Sequence, residues 1–162
     1  MALVFVALGA NLADPVQQLN AASVALCTLA EPASYRISSY VQSKPMAGME
    51  QPDYINAVAS FRTALSPLEL LDQLQAIEIA QGRERHERWG ARTLDLDLLL
   101  YDDLQLQHPR LTLPHYDMQQ RAFVLLPLYE LEPELTLPDG TQLAALITEA
   151  MRQSLQPLQT PV

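Results

Sequence analysis

Hydrophobic patterning along the chain runs strand, helix, strand, strand, helix, strand, with shorter elements after. That order predicts an α+β fold, a ferredoxin-like α-β sandwich with an antiparallel-rich central sheet flanked by helices. Two further observations support it. The strand candidates keep a two-residue alternation or a short apolar run, and the two helix candidates open on capping residues followed by proline.

Residues 2–8 are continuously apolar, which suits a central strand covered on both faces. Gly9, Ala10 and Asn11 end that run, and a glycine there allows backbone to approach a ligand closely. They form neither a Gly-x-Gly-x-x-Gly fingerprint nor a P-loop. Asp14 caps a helix with Pro15 at its first position and Gln17 at its third. Val16, Leu19, Ser23, Leu26 and Cys27 keep helical spacing, and the helix is expected to end near Ala30 and Pro32. Residues 35–42 alternate as a strand, and residues 43–53 form a proline- and glycine-containing loop long enough for a lid or binding loop. Residues 54–63 form a strand whose one face carries Tyr54, Asn56, Val58, Ser60 and Arg62.

Ser66, Pro67 and Glu69 spell a capping box for the clearest helix. Leu70, Leu71, Leu74 and Ile77 bury it, and Gly82 is a plausible stop. Leu71, Gln75 and Glu78 form a neighbouring stripe at i, i+4, i+7. Beyond the Asp95 strand, residues 101–103 read as a turn and 104–107 as a short strand. Arg110 and Thr112 then alternate with Leu111 and Leu113. Residues 121–131 read as a buried helix interrupted at Pro127, residues 137–140 as a turn, and 141–151 as a last amphipathic helix. Residues 152–162 form a polar, loosely held tail.

The length of 162 residues suits one domain, residues 1–162, with a core of its own. A net charge of -9 argues against a nucleic-acid surface. Cys27 is the only cysteine, so no internal disulfide forms; it is expected as a small core hydrophobe. The N-terminal apolar run is too short to span a membrane, and the chain is expected to be cytoplasmic.

The chemistry concentrates in residues 82–100. Arg83, Arg85, Arg88 and Arg92 are four of the chain's nine arginines, and Trp89 lies among them. Thr93, Asp95 and Asp97 then share one face of a strand whose other face carries Leu94, Leu96 and Leu98. Carboxylates at i and i+2 stand roughly 6.5–7 Å apart at Cα and can converge on one or two hard cations. Either feature alone reads as solvated surface. Their adjacency favours phosphoryl or pyrophosphoryl transfer, in which dications neutralise phosphate oxygens and guanidinium forks clamp the moving charge. Tyr54 and Asn56 side by side suit stacking and hydrogen bonding of a flat heterocycle, or an ordinary sheet rim. His115 suits a phosphate contact or a structural hydrogen bond.

Residues 88–99, Arg-Trp-Gly-Ala-Arg-Thr-Leu-Asp-Leu-Asp-Leu-Leu, resemble the signature of the 6-hydroxymethyl-7,8-dihydropterin pyrophosphokinase family of folate biosynthesis. The likeness continues through residues 7–12, 51–57, 81–83, 113–118, 121–123 and 127–130, so it covers nearly the whole chain. Ala10, Ala91, His86 and Met46 depart from that family's common serine, proline, basic and leucine-like residues.

The resemblance implies a ferredoxin-like fold and transfer of the terminal diphosphate of ATP to the hydroxymethyl group of the reduced pterin, releasing AMP. It implies two Mg²⁺ ions held by Asp95 and Asp97, and Arg83 and Arg92 on a loop that closes during chemistry. ATP contacts would come from Arg85, Arg88, Trp89, Arg92, Arg110, His115, Tyr116 and Arg121, and a nucleotide pocket from Leu71, Gln75, Glu78, Leu98 and Thr112. The pterin would lie between Tyr54 and Phe123, read by Asn56, covered by Trp89 and flanked by Ser43, Pro45 and Met46. ATP and the pterin are the expected partners of a monomer that contacts neither nucleic acid nor membrane. Another magnesium-dependent small-molecule kinase and a non-catalytic nucleotide-binding module are the alternatives.

Overall fold

The computed structural model describes residues 1–11, 14–43, 54–81 and 94–157. Its centre is β1 (Ala2–Ala10), which pairs antiparallel with β4 (Tyr54–Thr63) on one side and β5 (Asp95–Tyr101) on the other. The sheet continues from β4 to β3 (Val41–Ser43) and then β8 (Gln156–Pro157), while β2 (Arg36–Ile37) also pairs with β4. A separate hairpin joins β6 (Leu106–His108) to β7 (Leu111–Leu113).

The continuous apolar run of β1 is explained by two cores, one on each face of the sheet. Val4, Val6 and Leu8, with Leu94, Leu96 and Leu98, pack against α1 (Pro15–Cys27) and α2 (Pro67–Ala80) through Leu19, Leu26, Leu70 and Leu74. Phe5, Val58, Leu99 and Leu100 pack on the opposite face against Val124, Leu125 and Leu128 of α3 (Ala122–Leu131) and Leu143 of α4 (Leu143–Leu146). This is the expected α+β sandwich with an antiparallel sheet.

Both helix starts form as their sequences dictate. The Asp14 side chain accepts from the Gln17 amide. The Ser66 hydroxyl accepts from the Glu69 amide while Glu69 accepts from the Ser66 amide, and that bond holds the Glu69 carboxyl below its ordinary pKa.

Several boundaries differ from expectation. The strand over residues 35–42 is two short strands. Between them the Ser38 hydroxyl accepts from the Val58 amide and the Ser39 amide donates to Glu130, so side chains replace part of the ladder. Helix α1 ends at Cys27, whose side chain is exposed; the buried stripe is Leu19, Ala22 and Leu26, a spacing that turns Cys27 outward. The short strand expected over 104–107 forms instead at β6, Leu106–His108. Helix α3 runs through Pro127 without interruption. The proline loses one intrahelical bond, but burial of Val124, Leu125, Pro127 and Leu128 on one side offsets it.

The last helix is two, α4 and α5 (Glu149–Ser154), because Ile147 is extended and Thr148 opens a new helix by accepting from the Met151 amide. The segment expected as a tail begins inside α5 and returns to the sheet as β8, pairing with Val41 and Gln42.

Candidate active site

The helices of the α3 side cover only part of their sheet face. Past Ala7, the same face carries small or polar residues in register across three strands. Gly9 of β1 pairs with Asn56 of β4 on one side and Asp95 of β5 on the other; Ala7 pairs with Val58 and Asp97. The two-residue period of β5 therefore sends both aspartates to one face. A cavity of about 350 Å³ stands over this row. Its floor and rim include Gly9, Asn56, Asp95 and Asp97, with Ser43 and Tyr54 on one side and Leu99, His115, Arg121, Phe123 and Val124 on the other.

Each polar wall is held by neighbours. Asn56 is buried, and its Nδ2 donates to the Ser43 hydroxyl at 2.9 Å. The His115 amide donates to the Leu99 carbonyl at 3.0 Å, and its ring stacks on Tyr116 with centroids 4.9 Å apart. His115 Nδ1 accepts from the Asp117 amide at 3.3 Å. Burial pushes the His115 pKa below its ordinary value; Asp97 and Asp117 pull it back up, while Arg121 pushes it further down. The neutral ring then carries its proton on Nε2, as a donor. Arg121 pairs with Asp117 at 2.9 Å, and its guanidinium lies 5.7 Å from the centre of the Phe123 ring.

One cavity thus gathers Ser43, Tyr54, Asn56, Asp95, Asp97, His115, Arg121 and Phe123 from residues more than seventy positions apart. A second group lies where α2 meets the β6–β7 hairpin. Arg110 donates to Asp72 at 2.5 Å and to Gln75 at 3.3 Å, near the half-buried Leu71 of the same helix; Thr112 is exposed on β7. Glu78 and Leu98 are buried in the layer between α2 and the sheet, and Glu78 accepts from the Leu96 amide at 2.8 Å. Tyr116 is exposed, stacked on the outer side of His115. Pro45, Met46, Arg83, Arg85, Arg88, Trp89 and Arg92 lie outside the described residues.

Sequence reasoning missed Ala7, Leu8, Leu99 and Val124 as cavity walls. Leu99 shares the face of Asp95 and Asp97 by the two-residue strand period, and it is also the extra residue of a register shift between β1 and β5, in which Val6 pairs with Leu98 and Phe5 with Leu100. Nothing in Leu-Leu-Leu marks which residue is the bulge. Gly9, where the sequence allows close backbone approach, has Asn56 as its neighbour on β4.

Asp95 and Asp97 supply hard oxygen donors at the cavity. Among the described residues no group of three or more His, Cys, Asp or Glu is assembled as a cation cage. That donor set fits Mg²⁺, which takes one or two carboxylates and completes its shell with water and phosphate oxygens.

A sheet-floored cleft with a carboxylate pair, a neutral imidazole and aromatic walls has the form of an α+β enzyme acting on a small molecule. The family model of 7,8-dihydro-6-hydroxymethylpterin-pyrophosphokinase matches residues 5–133. The 2-amino-4-hydroxy-6-hydroxymethyldihydropteridine pyrophosphokinase of Haemophilus influenzae is 50% identical over 153 residues, 94% of this chain and 93% of its own. The protein of the same name from Pseudomonas aeruginosa is 49% identical over 155 residues, 96% of each chain. A solved HPPK-DHPS in complex with substrates superposes with a TM-score of 0.77 at 11% identity, over 98% of this chain; the Plasmodium falciparum HPPK-DHPS with SDX-DHP gives 0.74 at 13%. The chain spans about half the length, 47%, of those two solved proteins, and their likeness speaks to the fold alone.

The chain belongs to the 7,8-dihydro-6-hydroxymethylpterin-pyrophosphokinase family, ATP-using, magnesium-dependent enzymes of folate biosynthesis. Among the described residues no helix is long and apolar enough to cross a membrane.

Proposed function

We propose that this chain transfers the diphosphate of ATP to the hydroxymethyl oxygen of 6-hydroxymethyl-7,8-dihydropterin and releases AMP, with both substrates meeting over the Asn56–Gly9–Asp95 row. The observation that carries this reading is that row itself. It sets a heterocycle-reading amide and a metal-binding carboxylate on either side of one glycine, under one cavity.

The flat pterin lies between Tyr54 and Phe123, flanked by Ser43, Pro45 and Met46, and Asn56 reads its polar edge with an amide that both donates and accepts. Asp95 and Asp97 hold two Mg²⁺ ions. When bound, the ions neutralise phosphate charge and align the triphosphate with the attacking hydroxyl. The neutral His115 donates from Nε2 to a phosphate oxygen without an added positive charge. Arg121, already oriented by Asp117 and Phe123, contributes a guanidinium beside it. Arg110, Gln75, Leu71 and Thr112 receive the nucleoside end beside α2, with Glu78 and Leu98 supporting that wall from beneath. Tyr116, Arg85, Arg88, Trp89, Arg83 and Arg92 complete the ATP and transfer contacts by family resemblance.

In the transfer, the hydroxymethyl oxygen forms a bond to the β-phosphorus, the bond from that phosphorus to the AMP oxygen breaks, and the hydroxyl proton passes to solvent. Positioning and charge neutralisation carry most of this step, and it needs no strong base. Residues 1–162 act as one domain, a monomer of the cytoplasm.

The test is product analysis with ATP, Mg²⁺ and the reduced pterin. AMP and the pterin diphosphate are expected, whereas ADP would reassign the chain as an ordinary kinase. Asp95→Ala and Asp97→Ala should each lower AMP formation by at least about a hundredfold while the circular dichroism spectrum is kept. Turnover near the parent rate in either variant overturns the metal assignment.

A further inference from the structure

We infer that Gly9 is a specificity-positioning residue for the heterocycle: its lack of a side chain sets the orientation of the Asn56 amide, and an added methyl disables pterin recognition while sparing the nucleotide. This rests on the proposed reading of Asn56.

Asn56 sits in β4 between two strands, and each fixes one end of its amide. On the β3 side, Nδ2 donates to the Ser43 hydroxyl at 2.9 Å. On the β1 side, a Cβ built on Gly9 would stand 2.9 Å from Oδ1 and 4.0 Å from Cγ. Below 3.0 Å something must shift. The amide has little room to do so, because Asn56 is 5% exposed. Turning Oδ1 away from β1 would rotate Nδ2 away from Ser43, so the cost is a hydrogen bond inside a buried site.

The clash is selective. Gly9 pairs with Asp95 as well as with Asn56, yet among the described residues, its own chain neighbours Leu8 and Ala10 aside, the only atoms within 4 Å of the added carbon belong to Asn56. The backbone of Gly9 is itself unexceptional: glycine freedom at positive φ is used at Gly140, whereas Gly9 is an ordinary strand residue. A strand interior normally favours a side chain over glycine. Glycine stands at this place to leave room for the amide.

Gly9→Ala should therefore weaken pterin binding at least about tenfold, the size expected when a buried hydrogen-bonding group is misdirected. Affinity for a non-hydrolysable ATP analogue with Mg²⁺ should stay within about twofold, and any fall in Tm should be small, because the lost hydrogen bond is partly offset by the reduced freedom of the unfolded chain. Calorimetry on the whole protein, with the pterin titrated into the enzyme–analogue complex, reads the first quantity. Titration of the analogue reads the second.

A double-mutant cycle supplies the decisive comparison. If Gly9 acts through Asn56, then Gly9→Ala adds no further loss in an Asn56→Ala background. Full additivity would mean that the methyl blocks the ligand directly or distorts the sheet, and it overturns the inference. Equal loss of pterin and nucleotide affinity overturns it too. Asn56→Ala binding the pterin as the parent does would sink the underlying reading of Asn56. A large loss in Asn56→Ala with none in Gly9→Ala would sink only the role of Gly9.

Discussion

His115 shows how one side chain is tuned by its surroundings. Burial and Arg121 disfavour its charged form, Asp97 and Asp117 favour it, and the pKa ends below the ordinary histidine value. Because the folded-state pKa is depressed, the folded protein binds a proton less readily than the unfolded chain. Its contribution to stability is present above about pH 6.5, the unfolded value, and is lost as pH falls through the folded one. His115→Gln removes that dependence. The stability gap between parent and variant should narrow between pH 7 and pH 5 in urea unfolding; a constant gap would show that His115 does not titrate in this way. Neighbouring residues are set by the same kind of local opposition, with Arg121 held between Asp117 and the Phe123 ring.

At the scale of elements, the site depends on strands that deliver side chains to one face and on helices that keep those strands in place. Helix α2 begins with a complete capping box and buries Leu70 and Leu74 against the sheet. Ser66→Ala leaves the Glu69 amide without its acceptor and should cost about 1 kcal/mol. For a chain of this size that lowers Tm by about 2–4 °C in scanning calorimetry; no shift would mean that packing alone starts the helix. Strand β5 does two jobs through its bulge. Asp95, Asp97 and Leu99 face the cavity side, then the extra residue changes the phase, so that Leu100 joins Phe5 in the α3 core while Tyr101 turns back toward α2. Its hydroxyl there donates to the Leu65 carbonyl at 2.6 Å. Without the phase change Leu100 would point at the α1–α2 side and leave the α3 core short of a side chain.

For the molecule as a whole, two apolar layers sandwich one sheet, and the cavity occupies the stretch of sheet face that the α3 side leaves open. The net charge of -9 makes the body of the protein repel polyanions. Binding of a triphosphate must therefore draw on local cation charge and on the residues at the cleft. The large exposed hydrophobics among the described residues are Met1, Val24, Ile79, Leu104 and Tyr116, spread over different segments of the chain. Light scattering should return a mass near 18.1 kDa; twice that value would overturn the monomer.

Much of this was determined by the sequence alone, because it depends on local chemistry. Strand period places Asp95 and Asp97 on one face and Tyr54 and Asn56 on another strand's one face, whatever the rest of the chain does. Ser66, Pro67 and Glu69 start a helix through hydrogen bonds that reach only three residues. Tertiary structure alone decided the matters that depend on distant partners. Which of three leucines bulges out of β5, whether Pro127 breaks its helix, and that Cys27 faces water were settled by packing across the sheet. So was the placing of Gly9 between Asn56 and Asp95: a glycine's use lies in what its neighbours across the strands require, and those neighbours stand 47 and 86 positions away.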